Sequence, residues 1–121
     1  MEIHTIDELK QALRDFSARR DWDQFHTPKN LAMALIVEAA ELVEQFQWLS
    51  PEESMDPDPQ RREAVALEMA DVLIYLVRLA DRLDIDLLEA AGRKMVLNAR
   101  KYPARLVRGR ADMAARPETD P

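Results

Sequence analysis

The sequence predicts an all-α fold, and three observations lead there. Only two of its 121 residues are glycine while Ala, Leu, Glu and Arg dominate, which favours long helices over sheets with tight turns. Apolar side chains recur at three- and four-residue spacing through several segments. Capping residues stand where those segments begin, and prolines stand where they end.

Taken in order, Thr5 followed by Glu8 is a capping-box pattern opening a first helix, whose apolar positions Ile6, Leu9, Leu13 and Phe16 form one stripe. Asp21 to His26 breaks that pattern and reads as a loop. Thr27-Pro28 then starts a second helix, with Thr as cap and Pro at the first helical position, predicted to run to about Leu49. Ser50-Pro51 stops it, and Pro57 and Pro59 keep the next segment irregular. A third helix is expected from near Gln60 to about Leu83. Asp84 or Asp86 caps a fourth, which ends near Lys101-Tyr102 because Pro103 disfavours helix at the residue before it. The chain divides into one domain over residues 1–110 and a polar tail over 111–121, marked by Arg108-Gly109-Arg110 and Arg116-Pro117.

Bulk properties narrow the function. A chain this short buries a limited fraction of its surface, so oligomerisation is expected. The net charge of −6 repels a nucleic-acid backbone, arguing against a stable DNA or RNA partner, although a polyanionic small molecule could bind through bridging cations. No cysteine is present, which excludes disulfides and thiolate metal sites and fits a reducing cytoplasm. Met1-Glu2-Ile3-His4 lacks the basic-then-apolar pattern of a signal peptide, and no apolar run reaches the roughly 20 residues that span a bilayer. The expectation is a cytoplasmic protein with no membrane partner.

Four carboxylates stand where apolar residues should be. From Leu31 to Val43 the only polar side chains are Glu38 and Glu41; from Ala64 to Val77 the only ionisable groups besides the Tyr75 phenol are Glu68 and Asp71. Each pair is spaced i,i+3 and so shares a helix face. A helix that is apolar nearly all round is expected to be buried on most faces. An ionised carboxylate buried without a partner is costly, and neither stretch holds an Arg or Lys to compensate. If the two helices pack side by side, a hard divalent cation is the simplest counter-charge, and all-oxygen ligation suits Mg²⁺, with Mn²⁺ as substitute. Zinc is disfavoured, because neither Cys nor a helical His accompanies the acids. Di-iron chemistry is disfavoured too, since His4 and His26 lie outside both acidic motifs. The competing interpretation is a solvated or interface stripe, which one E-x-x-E alone would support.

Carboxylate-held Mg²⁺ suits substrates that carry phosphates. Lys94, Asn98 and Lys101 share a face of the fourth helix, with Tyr102 beside them; they could meet such phosphates, or could be a solvated basic helix end favoured by the helix dipole. Trp22 and Trp48 bracket the second helix and could stack on a nucleobase, with His26 bonding its edge, or could be ordinary packing residues.

The ordered motifs Trp22…Phe25-His26…Pro28-Lys29-Asn30-Leu31, Glu38-Ala39-Ala40-Glu41-Leu42…Phe46-Gln47-Trp48, Glu68-Met69-Ala70-Asp71-Val72-Leu73-Ile74-Tyr75 and Lys94…Asn98…Lys101-Tyr102-Pro103 resemble the MazG-like all-α nucleoside triphosphate pyrophosphatases, most similarly the dCTP pyrophosphatase branch. The likeness covers roughly residues 5 to 110. It implies a four-helix bundle-type protomer completed by homo-oligomerisation, as a homodimer or a homotetramer built as a dimer of dimers. It implies hydrolysis of a nucleoside triphosphate to monophosphate and pyrophosphate, in a house-cleaning role on surplus or modified pyrimidine deoxynucleotides. By the same resemblance Glu38, Glu41, Glu68 and Asp71 hold Mg²⁺, and Glu38 or Glu41 is catalytic in activating the water. Lys94, Asn98, Lys101, Tyr102 and Tyr75 then contact phosphates and sugar, while Trp22, His26 and Trp48 frame the base. A same-superfamily enzyme acting on dUTP, general NTPs or phosphoribosyl-ATP, and a non-catalytic nucleotide-sensing or oligomerisation module, are the alternatives that the sequence leaves open.

Overall fold

The computed structural model describes residues 1–111 and contains six helices there, with no strand. Four are long: α1 (Ile6–Arg19), α2 (Pro28–Glu44), α4 (Pro59–Arg82) and α5 (Leu87–Lys101). Two are single turns, α3 (Pro51–Ser54) and α6 (Ala104–Val107). The all-helical expectation holds, as do the four principal helices. The tail expected over 111–121 falls, apart from Ala111, outside the described residues.

Local chemistry fixes the helix starts. The hydroxyls of Thr5 and Thr27 accept from the amides of Glu8 and Asn30, and the carboxylates of Asp58 and Asp86 accept from those of Arg61 and Glu89. Proline occupies the opening turn of α2, α3 and α4, where its missing N–H costs nothing. Asp21 and Asp84, with φ of 52° and 55°, end α1 and α4 in the left-handed region that Asp tolerates better than most residues.

One boundary differs from the sequence reading. The second helix stops at Glu44 rather than near Leu49. Gln45, Phe46 and Leu49 donate to carbonyls three residues back, so the chain tightens into turns. The Gln45 carbonyl is taken by the guanidinium of Arg61, sixteen residues on. The segment expected to be irregular after Ser50 instead contains α3, closed by a reciprocal capping box. Ser50 N–H donates to Glu53 Oε1, and Glu53 N–H donates to Ser50 Oγ.

The chain forms two compact units, Met1–Ile85 and a second beginning at Asp86. Within the first, α2 packs along α4, and α1 also packs on α4. Leu31 and Val77 are fully enclosed, with Leu9 and Ala80 close behind. The expectation that the apolar helices are buried on most faces is only half met. Met33, Ile36, Val37 and Val43 on α2, and Leu67, Met69 and Leu73 on α4, lie exposed, Ile36 by 67 %. Among the described residues α2 packs extensively on α4 alone, and α4 on α1 and α2, so part of the apolar surface of each helix stays uncovered. In the second unit, α5 carries exposed Leu88, Met95, Val96 and Leu97. No helix among the described residues is long and apolar enough to cross a membrane.

Candidate functional site

The close packing of α2 on α4 brings the acidic motifs together. One carboxylate oxygen each from Glu38, Glu41 and Glu68 lies within 4.8 Å of the others. The i,i+3 spacing of Glu38 and Glu41 puts both on the face of α2 that meets α4. Glu38 Oε2 and Glu68 Oε2 are buried and have no hydrogen-bond partner. Buried polar atoms are rarely left unpaired, because their desolvation is uncompensated.

The electrostatics carry the same signature. Burial, then a proton shared with Glu41 and the negative charges of Glu41, Asp71 and Glu68, push the Glu38 carboxyl up to about 7. Burial, Glu41, Asp71 and Glu44 likewise hold the Glu68 carboxyl above the usual range. The Tyr75 phenol is raised by burial and by Glu38, Asp71 and Glu41. The main charges acting on these three groups are all carboxylates. A divalent cation would ligate the orphaned oxygens and relieve that repulsion, so the donor set fits one. Asp71 lies outside the tight trio, one turn beyond Glu68, although Glu38, Glu68 and Tyr75 all feel its charge.

Beside the cluster is a cavity of about 410 Å³, lined in part by Asp71, Tyr75, Trp22, His26, Phe16 and Arg78. The Trp22 ring stands edge-on to Phe16 at 5.8 Å and to His26 at 6.2 Å between centroids. Three residues expected to contact substrate, Trp22, His26 and Tyr75, thus meet one expected acid, Asp71, at one mostly apolar hollow. Trp48 does not line it; this ring sits in the turn after α2 and is 88 % exposed. In the second unit, Lys94, Asn98 and Lys101 lie on α5, Tyr102 N–H closes the helix by donating to the Asn98 carbonyl, and the Lys101 ammonium stands 5.6 Å from the Tyr102 ring.

The sequence reading missed two features. Glu44 extends the acidic row of α2, and the 38–41–44 spacing was the available signal. Arg78, buried on α4, donates from Nε to His26 Nδ1 (3.1 Å) and from Nη2 to Asp23 Oδ1 (2.6 Å). It also lies 3.7 Å from Asp81, which Arg14 holds through two hydrogen bonds of 2.7 and 2.6 Å. Arg78 falls one residue beyond the apolar stretch, at i+3 from Tyr75 and i+7 from Asp71, hence on the same face.

Two helices that present a half-buried carboxylate cluster beside an aromatic cavity define an all-α protein with an acidic site of the kind that holds hard divalent cations. Residues 33–109 match the MazG-like family, and this chain belongs to it. Over 110 residues the chain is 46 % identical to the dCTP pyrophosphatase 1 of Bos taurus, covering 88 % of this chain and 64 % of that protein. It is 45 % identical to the dCTP pyrophosphatase 1 of Homo sapiens, covering 86 % and 62 %. The chain therefore spans somewhat less than two thirds of the length of these curated relatives. A crystal structure of a pyrophosphatase from Archaeoglobus fulgidus superposes with a TM-score of 0.78 at 46 % identity, covering 85 % of this chain and 96 % of that one.

Proposed function

We propose that the protein is a divalent-metal-dependent nucleoside triphosphate pyrophosphohydrolase, converting a (d)NTP and water to a (d)NMP and pyrophosphate. The substrate is dCTP or a modified pyrimidine deoxynucleotide from the cytoplasmic nucleotide pool. The observation that carries this reading is the convergence of Glu38, Glu41 and Glu68 within 4.8 Å, with two buried oxygens left unpartnered. Relatives named dCTP pyrophosphatase 1 supply the substrate class.

In this reading Glu38, Glu41, Glu68 and Asp71 hold Mg²⁺, or Mn²⁺ in its place. A cation held there would supply positive charge to the triphosphate and lower the pKa of a water. Glu38 or Glu41 accepts the proton that the water loses. The water attacks the α-phosphorus, and the bond to the bridging oxygen breaks to release pyrophosphate. Trp22 and His26 frame the base in the cavity they line, with Tyr75 at the sugar. Lys94, Asn98, Lys101 and Tyr102 contact phosphates and sugar. The exposed apolar stripes of α2 and α4 favour a homodimer or a dimer of dimers, in which the exposed Trp48 faces the base site of a second subunit.

Pyrophosphate release from a panel of canonical and modified dNTPs and NTPs, with Mg²⁺ and with EDTA, tests the proposal. Metal-dependent release, strongest with a dCTP-like substrate, is the expected result. Silence across the panel from folded, metal-loaded protein would favour a nucleotide-sensing module instead.

A further inference from the structure

Arg78 is a charge that the acidic site does not use. It is 5 % exposed, and a buried guanidinium persists only where its donors are satisfied. Its Nη2 reaches Asp23 Oδ1 at 2.6 Å, and Asp81 Oδ2 lies 3.7 Å from Nη1. Its Nε–H is aimed at His26 Nδ1 at 3.1 Å. A guanidinium has no lone pair to offer, so Nδ1 can only accept. The hydroxyl of the buried Ser17, 3.5 Å from Nδ1, crowds the same nitrogen. Arg82 Nε bonds the His26 carbonyl at 3.1 Å and pins the backbone beneath the ring. In a neutral imidazole whose Nδ1 accepts, the hydrogen is on Nε2.

We propose that Arg78 is a positioning residue, which holds His26 in one orientation as the Nε2–H tautomer and so makes the aromatic cavity offer a hydrogen-bond donor to its ligand. The ligand edge that fits is an acceptor, a ring nitrogen or carbonyl oxygen, such as a pyrimidine base carries. The inference rests on the proposed function for the identity of that ligand, and on the observed hydrogen bonds alone for the state of His26.

The charged and titratable groups facing His26 are Arg78 and Arg82 from α4 and Asp23 from the preceding loop, with Tyr75 and Asp71 also lining the cavity; α1 brings the neutral Ser17. Burial, then the Arg78 charge, outweighs Asp23 and holds the imidazole below its ordinary 6.5. Protonation would place an N–H against the Arg78 N–H, so the geometry and the electrostatics agree.

The test is ¹⁵N-histidine NMR on the full chain, wild type and Arg78→Met, paired with dCTP kinetics. Only His4 and His26 contribute, and His4→Gln assigns them. In the wild type the His26 hydrogen is expected on Nε2, with titration below pH 6.5. In Arg78→Met that titration moves up, and KM for dCTP rises about tenfold with kcat within about threefold, because a base contact made equally in ground and transition states is lost. A purely structural Arg78 would lower stability and leave the His26 tautomer and titration alone. If Arg78→Met does not fold, Arg78→Lys keeps a cation for Asp23 and loses the fork that also reaches His26, and its KM still rises. A wild-type hydrogen on Nδ1, or a His26 titration indifferent to Arg78, overturns the proposal. Wild-type protein that releases no pyrophosphate would overturn the functional reading, while the spectra would still decide Arg78's hold on His26.

Discussion

Two charged clusters lie along one face of α4, and they are built on opposite plans. Near its middle, Glu68 meets Glu38 and Glu41 of α2 with Asp71 one turn away, and the main charges acting on Glu38 and Glu68 are carboxylates. Ten residues beyond Asp71, Asp81 meets Arg14 and Arg78, and Arg78 in turn meets Asp23. The second cluster is balanced by the chain's own side chains and ties α1 and the loop before α2 to α4. The first is unbalanced, and its repulsion is a reserve of electrostatic free energy that a cation can claim on binding. Charge balance, more than the presence of acids, separates a site from a strut.

The largest expected effect breaks the unbalanced cluster. Glu41→Ala or Glu68→Ala should cut pyrophosphate release by about a thousandfold or more, since positioning and charge stabilisation supply most of the catalysis in phosphoryl chemistry. Circular dichroism should show the fold intact. Either variant with wild-type turnover would dismantle the proposed site.

Next is a pair of opposite pH responses in metal-free protein. Glu38 is raised in the folded state to about 7, so the stability linked to its protonation is full below the unfolded value of 4.5 and is lost as pH rises through about 7. Asp81 is depressed by its hydrogen bond to Arg14, so its contribution is full above the unfolded value of 3.8 and is lost as pH falls through the lower folded value. Melting temperature should therefore decline by several degrees from pH 5 to pH 8 and should decline again in strong acid. Glu38→Gln should flatten the alkaline decline alone, and added Mg²⁺ should raise Tm more at pH 8 than at pH 5, because cation and proton compete.

Arg14→Ala probes the strut. Half of the Arg14 side chain is exposed while Asp81 is nearly buried, so the loss of stability in urea unfolding should be modest, with turnover unchanged. The smallest effect lies far from both clusters: Thr5→Ala removes the α1 cap and should cost about 1 kcal/mol. A Thr5 variant that reduced turnover as much as Glu68→Ala would show that activity follows global stability and not the acidic site.

Much of this was legible in the residues. Thr5, Thr27-Pro28 and Asp86 announce helix starts through side-chain chemistry that acts within one turn, so sequence reveals them directly. The acidic pairs stood out because each was isolated in an apolar run. What sequence hid depends on partners far along the chain. The end of α2 at Glu44 involves Arg61 at the Gln45 carbonyl, and the meaning of Arg78 depends on His26 and Asp23, 52 and 55 residues away. Helical periodicity cannot see across such separations. Exposure of Ile36 and Leu73 was hidden for another reason: hydropathy marks a face that avoids water and does not say whether the same chain covers it.

Whether Glu38, Glu41 and Glu68 form a cation site whose repulsion the cation relieves is decided by calorimetric titration of Mn²⁺ into metal-free protein near pH 7 in buffers of different ionisation enthalpy. Saturable binding with proton release, from the partly protonated Glu38, is the predicted result, and Glu68→Ala should abolish it. Absence of binding, or binding indifferent to Glu68, would contradict the account.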